Sequence, residues 1–398
     1  MRLSPHVKSL KPSPTLALRG QANALKKQGI HVYDLSVGEP DFPTAEPVRE
    51  AANAFVSSGE IRYTPVPGTA ALREKIAGWL KENRGVEYSA DEILVGTGAK
   101  QCLFNTIHSL IGPGDEVLIP SPYWVSYPDQ VKLAGGTPVF IECPKEDGFQ
   151  LDPAAVEAAI TPYTRMLVLN SPNNPTGAVY HPENVAAIAA LAKKHDFWLL
   201  CDDIYDQLVY GDTQAHTALS LDPSIKDRVV LINGFSKGWA MTGWRLGYMA
   251  APRPVIQAAI SLQGAITSGT SAVSQIAGVS ALDMPESYFA ETRAVFERRL
   301  DLVMDELSRI EGVFCKRPTG AFYVLPDFSA YLGRVTPEGE RIETTQDLSA
   351  FLLQEAHVAC MPGEAFGFPG VLRFSYAASE ETLTGALRAV GSAVQTLR

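Results

Sequence analysis

The sequence predicts an α/β fold with two parts, a large domain built on a mostly parallel, doubly wound sheet and a smaller α+β domain. Between residues 90 and 250, short apolar runs rich in β-branched residues alternate with stretches of helical periodicity, a pattern typical of a parallel sheet covered by helices. Turn residues such as Gly-x-Gly and Asn-Asn-Pro follow several of these runs directly. Farther along, a long amphipathic stretch at 288–310 is typical of a helix that links two domains.

With 398 residues, the chain is long enough for two domains. We expect residues 46–288 to form the large domain, and residues 1–45 together with 289–398 to form the small domain. The strands expected in the large domain are 92–96, 116–120, 137–142, 166–170, 198–202 and 229–232. Outside it, an amphipathic helix is expected at 15–28, and further helices are expected at 345–357 and 379–397.

Composition and charge narrow the classes of function. The formal net charge of −10 argues against a nucleic-acid partner or an anionic membrane surface, although it permits a local basic pocket for a small anion. No apolar run approaches the roughly 18 to 20 residues of a membrane span. The five cysteines form no CxxC pair, and no Cys/His pair has the spacing of zinc ligands. We therefore expect a cytoplasmic protein with reduced thiols and no metal site.

The segment VVLINGFSKGWAMTGWRLGYM, residues 229–249, holds two basic residues outside its apolar runs. Ser236 and Lys237 follow the first run in a polar turn. Lys237 stands among Gly, Ser, Phe and Trp, a setting that can partly desolvate its amine and lower the pKa toward use as a nucleophile. Arg245 stands between Trp and Leu, where an unpaired guanidinium is costly and a bound anion would relieve the cost. A solvated loop lysine and a structural arginine are the alternative.

Other polar or aromatic side chains follow apolar runs at the point where each run ends. Asn174 stands in an Asn-Pro turn, Asp202 closes the run WLLCD, and Tyr205 comes three positions later. Trp124 lies in an aromatic connection after another run. Because open α/β sheets bind ligands at the carboxyl ends of their strands, we expect a single site there. The alternatives are an N-cap aspartate for Asp202 and ordinary core packing for Trp124.

Two further places suit an anionic ligand. The turn GTGAK, residues 96–100, joins a predicted strand to a helix N-terminus, where free backbone N–H groups and the helix dipole favour an anion. Arg373 lies between two apolar residues on a short strand, from which it could form a two-pronged salt bridge with a carboxylate. A structural ion pair of Arg373 with Glu364 or Asp327 is the alternative.

The motifs GEPDF, Y-x-x-x-x-G, N-x-x-N-N-P-T-G, D-x-x-Y, FSKGWAMTGWRLGY and LRFSYA occur in this order along nearly the whole chain. Together they resemble those of class I aminotransferases, which are fold type I enzymes that use pyridoxal 5'-phosphate (PLP). Three segments, SPYWVSYP, NSPNNPTGAVY and AMTGWRLGY, are most similar to the bacterial aspartate and aspartate/prephenate branch. The resemblance implies an aminotransferase whose substrates are an amino acid and a 2-oxo acid.

The resemblance also implies a role for each candidate residue. Lys237 would bond to the cofactor aldehyde and carry protons, Asp202 would pair with the pyridine nitrogen, and Tyr205 would point at the phenolic oxygen. The remaining cofactor-binding residues implied are Gly98, Ala99, Lys100, Trp124, Asn174, Ser236 and Arg245, with Tyr63 supplied by a neighbouring subunit. A homodimer with shared active sites follows from that last assignment.

On the substrate side, the resemblance implies that Arg373 binds the α-carboxylate. The other substrate-binding residues implied are Gly38, Trp124, Asn174, Lys100 and, in the preceding KPSPT segment, Lys11. We expect ping-pong transamination of L-aspartate with 2-oxoglutarate through pyridoxamine phosphate. Aromatic or prephenate transamination is the alternative, and a PLP-dependent C–S β-lyase is a more remote one. Relatives usually carry Ser where this chain has Gly264, which could loosen acidic specificity or admit a bulkier aromatic substrate.

Overall fold

The computed structural model describes residues 14–398. Its strands are β1 (Tyr33–Asp34), β2 (Ile93–Gly96), β3 (Glu116–Ser121), β4 (Thr137–Glu142), β5 (Thr164–Asn170), β6 (Trp198–Asp202), β7 (Val229–Gly234), β8 (Gly247–Ala250), β9 (Tyr323–Val324), β10 (Val358–Ala359), β11 (Met361–Pro362) and β12 (Leu372–Ser375). Its α-helices are α1 (Pro14–Lys27), α2 (Glu46–Ser58), α3 (Ala70–Arg84), α4 (Ala99–Leu110), α5 (Ser126–Leu133), α6 (Pro153–Ala159), α7 (Pro182–His195), α8 (Ala218–Leu221), α9 (Arg253–Ile266), α10 (Ala272–Ala281), α11 (Glu286–Ser308), α12 (Thr345–Glu355) and α13 (Glu380–Val394).

Seven strands form the central sheet, in the order β2-β8-β7-β6-β5-β3-β4. Neighbouring strands are parallel except for β8, which is antiparallel to both β7 and β2. Strand β2 therefore runs in the same direction as β7, and the carboxyl ends of β2, β3, β5, β6 and β7 lie along one edge. The predicted α/β fold with a mostly parallel sheet is confirmed, and so is each strand predicted within it.

Apolar side chains cover both faces of this sheet, which explains why its strands are continuous apolar runs. On one face, Leu167, Leu199 and Leu231 of β5, β6 and β7 join the core that includes α3, α7 and α10. On the other face, Val168 and Leu200 join the core that includes α4 and α9. Packing on both sides holds the strand ends, and hence the residues that follow them, in fixed positions.

A third apolar core surrounds the long helix α11. Phe296 and Leu300 of this helix pack with Phe374 of β12 and Leu387 of α13. A small antiparallel sheet, β11-β12-β9, borders this core, and β1 pairs in parallel with β10. The long helix predicted at 288–310 is present and begins and ends two residues earlier. Within residues 14–398, no helix combines the length and the apolar character that crossing a bilayer requires.

Candidate active site

The carboxyl edge of the sheet gathers the predicted site residues. Asp202 is the last residue of β6, Lys237 follows β7 by three positions, and Asn174 follows β5 by four. Gly98 lies between the end of β2 and the start of α4. Tyr205, close after β6, belongs to the apolar core around α11, so the site lies where the sheet meets the α11 layer.

Asp202 is a buried carboxylate held by two donors. The Tyr127 hydroxyl donates to Asp202 Oδ2 at 2.7 Å, and the Ile204 amide donates to Oδ1 at 3.3 Å. Burial raises the pKa of the Asp202 carboxyl to about 6, although these hydrogen bonds and the charge of Lys237 oppose the rise. The carboxylate is therefore mostly ionised at neutral pH, and a buried anion of this kind is suited to a cationic partner.

Lys237 is a partly desolvated amine. Its Nζ donates to the carbonyl oxygen of Gly38 at 2.5 Å and lies 5.9 Å from the ring centroid of Tyr205. Burial lowers the pKa of the Lys237 amine to about 8, against the opposing charge of Glu39, and the nearby positive charge of Arg245 lowers it further. A measurable fraction of this lysine is therefore neutral near physiological pH, as a nucleophile or proton carrier requires.

Arg245 and the start of α4 form a cradle for an anion. Arg245 has a left-handed backbone with φ 50, and its Nη1 donates to the Thr242 carbonyl oxygen at 2.9 Å. A Cβ at position 98 would lie 2.5 Å from Arg245 Nη2, so a side chain there would displace the guanidinium from its present place. Helix α4 begins at Ala99 without a side-chain cap on Gly98, which leaves its amide end directed at the same place.

Lys100 and Trp124 extend this cradle toward the rest of the site. Lys100 Nζ lies 4.6 Å from the Trp124 ring centroid. Partial desolvation and the positive charge of Arg245 both lower the pKa of the Lys100 amine. Trp124 is half-buried and contacts the Tyr127 ring edge-on at 5.3 Å between centroids. A cation whose pKa is lowered by a neighbouring cation is stabilised when an anion binds between the two.

Arg373 is a buried guanidinium whose hydrogen bonds go to neutral acceptors. Nη1 donates to Asn174 Oδ1 at 3.0 Å, and Nη2 donates to the Ser36 carbonyl oxygen at 2.7 Å. Among the residues that the structure describes, no hydrogen-bond acceptor for Arg373 Nε is present. The alternative partners are engaged elsewhere, because Glu364 accepts hydrogen bonds from Thr345 and Asp327 pairs with Lys145. A carboxylate ligand would satisfy this buried cation.

Two tyrosines complete the floor of the site. The Tyr205 hydroxyl lies 2.9 Å from the Tyr323 hydroxyl, and Asn174 Nδ2 donates to the Tyr205 oxygen at 3.5 Å. Burial raises the pKa of the Tyr205 hydroxyl well above its ordinary value, so it stays protonated and can donate a hydrogen bond. The Arg373 guanidinium lies 4.5 Å from the Tyr323 ring centroid.

Sequence reasoning missed Tyr127 and Tyr323. Tyr127 lies on α5, one turn after Trp124, and Tyr323 lies in the GAFY segment on β9. A tyrosine in or near an apolar stretch is commonly part of the core, and only the tertiary arrangement brings these hydroxyls to Asp202 and Tyr205. The GAFY segment offered a weak signal, because a polar ring stands in an otherwise apolar strand.

Some predicted residues do not join this cluster within one chain. Tyr63 is fully exposed, and Lys11 lies outside the described residues. Gly264 lies on α9, where an added Cβ would come no closer than 3.9 Å to its nearest neighbour, the Val66 side chain.

Two other predicted residues do lie at the site. Ser236 is buried beside Lys237. Gly38 is brought to the site by its contact with Lys237.

Comparison with known proteins identifies the family. Residues 30–390 match the family model described as aminotransferase class I and II. An aspartate aminotransferase from Rhizobium meliloti (strain 1021) is 43% identical over 392 residues, which cover 98% of this chain and 96% of that protein. An aspartate/prephenate aminotransferase from Cereibacter sphaeroides is 41% identical over 382 residues, which cover 96% of each.

Solved structures show the same likeness. The crystal structure of the aspartate aminotransferase from Rhizobium meliloti matches this fold with a TM-score of 0.96 at 43% identity and covers both chains completely. The Thermus thermophilus aspartate aminotransferase with maleate matches with a TM-score of 0.92 at 40% identity, covering 99% of this chain and all of the other. The chain belongs to the aminotransferase class I and II family.

Proposed function

We propose that this aminotransferase uses PLP and transfers an amino group between L-aspartate and 2-oxoglutarate by a ping-pong reaction. One observation carries the proposal. Three groups meet at one sheet edge: the buried carboxylate of Asp202, the low-pKa amine of Lys237 and the buried guanidinium of Arg373. The Arg373 guanidinium has no carboxylate partner among the described residues. The relatives named aspartate and aspartate/prephenate aminotransferases support the acidic substrate.

The residues present fit PLP, a group with a phosphate, a basic ring nitrogen and an aldehyde. The cradle that Gly98 leaves open to Arg245 would hold the phosphate, with the amide end of α4 contributing N–H donors. Asp202 would accept a hydrogen bond from the protonated ring nitrogen, and Lys237 would form a covalent bond with the aldehyde carbon. The other residues proposed to hold the cofactor are Ala99, Lys100, Trp124, Asn174, Tyr205 and Ser236. Bound PLP supplies an electron-withdrawing ring that stabilises negative charge developing at the substrate Cα.

The chain's own groups would move the protons. Once its nitrogen is free, Lys237 Nζ, with a pKa near 8, can accept the proton from the substrate Cα and deliver it to the adjoining cofactor carbon. Asp202 keeps its negative charge for this step because the Tyr127 hydroxyl hydrogen-bonds the ionised carboxylate. The Tyr205 hydroxyl remains protonated and would donate a hydrogen bond to the phenolic oxygen of the cofactor.

Substrate binding would use the cations at both ends of the site. Arg373 would take the α-carboxylate in place of its present contacts to neutral oxygens, beside the backbone of Gly38. Lys100 would meet the distal carboxylate of aspartate above the Trp124 ring, and Lys11 could assist. Maleate, present in the Thermus thermophilus structure, is a dicarboxylate of the same length as aspartate, which supports this arrangement.

We further propose a cytoplasmic homodimer whose large domain is residues 46–288 and whose small domain is residues 1–45 and 289–398. The fully exposed Tyr63, with exposed Ile61 and Val56 nearby, supports the assignment of its hydroxyl to the partner's cofactor site. The five cysteines are free, which fits a reducing compartment.

The test is absorbance spectroscopy of the purified protein with PLP. Aspartate and glutamate should convert the cofactor's visible band, and 2-oxoglutarate should restore it. Lys237→Ala should lose both the lysine-bound band and activity, whereas Lys132→Ala, at an exposed lysine of α5, should keep them. If only aromatic amino acids or a prephenate-derived donor convert the cofactor's visible band, that donor, and not aspartate, is the substrate. Release of pyruvate and ammonia without a 2-oxo acid would indicate C–S lyase activity.

A further inference from the structure

A segment of irregular backbone covers the site, and its first end is attached to strands. We call residues 35–41 the strap. The Leu35 amide donates to the Ala359 carbonyl oxygen of β10 at 2.9 Å, and the Ser375 amide of β12 donates to the Leu35 carbonyl oxygen at 2.8 Å. These backbone hydrogen bonds fix where the strap begins.

The middle of the strap touches two of the proposed functional groups. The Ser36 carbonyl oxygen accepts from Arg373 at 2.7 Å, and the Gly38 carbonyl oxygen accepts from Lys237 at 2.5 Å. A Cβ at position 38 would lie 2.5 Å from the Tyr323 hydroxyl oxygen, so glycine at this position lets the strap lie this close to the floor of the site. A small displacement of the strap would therefore change both contacts.

The second end of the strap is attached by an ion pair. Arg299 of α11 binds Asp41 with both prongs, Nη1 to Oδ1 and Nη2 to Oδ2, each at 2.7 Å. The Arg299 side chain is 9% exposed, and its guanidinium carbon lies 5.4 Å from the Phe42 ring centroid and 5.7 Å from that of Phe296. Two-pronged geometry between aromatic rings fixes the direction as well as the distance of the pair.

We propose that Arg299, acting through Asp41, is a positioning residue that sets how the strap lies over Lys237 and Arg373 and thereby tunes substrate binding. Pro40 limits rotation between Gly38 and Asp41, so a shift at Asp41 is passed along the strap instead of being absorbed locally. The inference rests on the proposed function for its effect on substrate, but the attachment of the strap can be measured without any activity.

The experiment compares Arg299→Gln and Asp41→Asn with Arg388→Gln in the PLP-loaded protein. Arg388, whose side chain is largely exposed, binds Glu306 on the same helix as Arg299, in an ion pair that does not touch the strap. Hydrogen–deuterium exchange followed by mass spectrometry reports on peptides that contain residues 35–41. Steady-state kinetics with aspartate separate KM from kcat.

Arg299→Gln and Asp41→Asn should each speed exchange in the strap and raise KM roughly tenfold with a smaller change in kcat, in line with losing a positioning contact. The double variant should be no worse than either single one, since both remove one ion pair. Arg299→Lys should bring the KM part of the way back to the wild-type value, and Arg388→Gln should change neither the strap exchange rate nor the KM. Faster strap exchange with an unchanged KM, or an equal KM effect from Arg388→Gln, would overturn the inference. Wild-type protein inactive with aspartate would refute the proposed substrate, while the exchange data would still report on the attachment.

Discussion

Replacing Lys237 by methionine should stabilise the cofactor-free protein at neutral pH. Methionine keeps nearly the length of the side chain and removes its charge. The folded protein holds this amine with a pKa of about 8, against 10.5 for an ordinary lysine. That difference corresponds to roughly 3 kcal/mol by which the buried charge opposes folding. Loss of the hydrogen bond to the Gly38 carbonyl oxygen destabilises the folded protein by about 1 kcal/mol. We expect a net gain of about 2 kcal/mol in the free energy of unfolding.

The gain should depend on pH in a defined direction. Below about pH 8, Lys237 is charged in both folded and unfolded protein, so the full cost of the buried charge is present. Above that pH the folded lysine is neutral, and the cost shrinks until the unfolded lysine also loses its proton near 10.5. The stabilisation by methionine should therefore be largest at neutral pH and close to zero near pH 10.

Urea-induced unfolding followed by circular dichroism measures this effect, at one fixed protein concentration because the proposed species is a dimer. The PLP-free wild type and Lys237→Met are compared at about pH 7 and about pH 10. Lys132→Met, at an exposed position, controls for the general effect of losing one positive charge. A destabilised Lys237→Met, or a gain equal at both pH values, would refute the assignment of Lys237 as a desolvated amine.

Three further substitutions test other parts of the site. Tyr127→Phe removes a hydrogen bond that favours ionised Asp202, so the acid limb of the kcat profile should move to higher pH than in the wild type, and an unmoved limb would contradict the role of this bond. Arg373→Lys loses the two-pronged geometry, so kcat/KM for aspartate should fall by about 100-fold in initial-rate assays, and a fall of less than about threefold would argue against carboxylate binding there. At Gly264 an added Cβ would lie 3.9 Å from its nearest neighbour, Val66, so Gly264→Ser adds a hydroxyl without a clash. The substitution should raise the preference for aspartate over phenylalanine, measured as the ratio of kcat/KM values, by about tenfold. An unchanged ratio would exclude Gly264 as a specificity determinant.

The sheet and its edge residues could be predicted because they follow from local patterns. Strands β5, β6 and β7 are apolar runs that end at polar turns, and the sheet rule then places Asn174, Asp202 and Lys237 together. The direction of β8 was not specified by pattern, because a run of four apolar residues fits parallel and antiparallel pairing equally. The turn of the chain at Arg245, with its left-handed backbone, reverses the strand.

The contacts that tune the site could not be predicted, because they join residues far apart in sequence. Tyr127 reaches Asp202 across 75 positions, and Arg299 reaches Asp41 across 258. Neither tyrosine nor arginine differs locally from its many counterparts in cores and on helices. Tyr63 marks another limit: its proposed role lies in a second subunit, and within one chain its side chain is fully exposed.

The distribution of charge links the stability of this protein to its chemistry. The chain carries a formal net charge of −10, yet Lys100, Lys237, Arg245 and Arg373 converge at one sheet edge, where burial or mutual repulsion lowers the pKa of both lysines and of Arg373. The buried charges of Lys237 and Arg373 oppose folding until an anion neutralises them. A phosphate and a dicarboxylate supply the negative charges that the cluster lacks, so binding them should stabilise the folded protein more than contact area alone predicts. Substitutions that neutralise the cluster should accordingly stabilise the cofactor-free protein and weaken the binding of both ligands, which is the trade-off expected of a preorganised site.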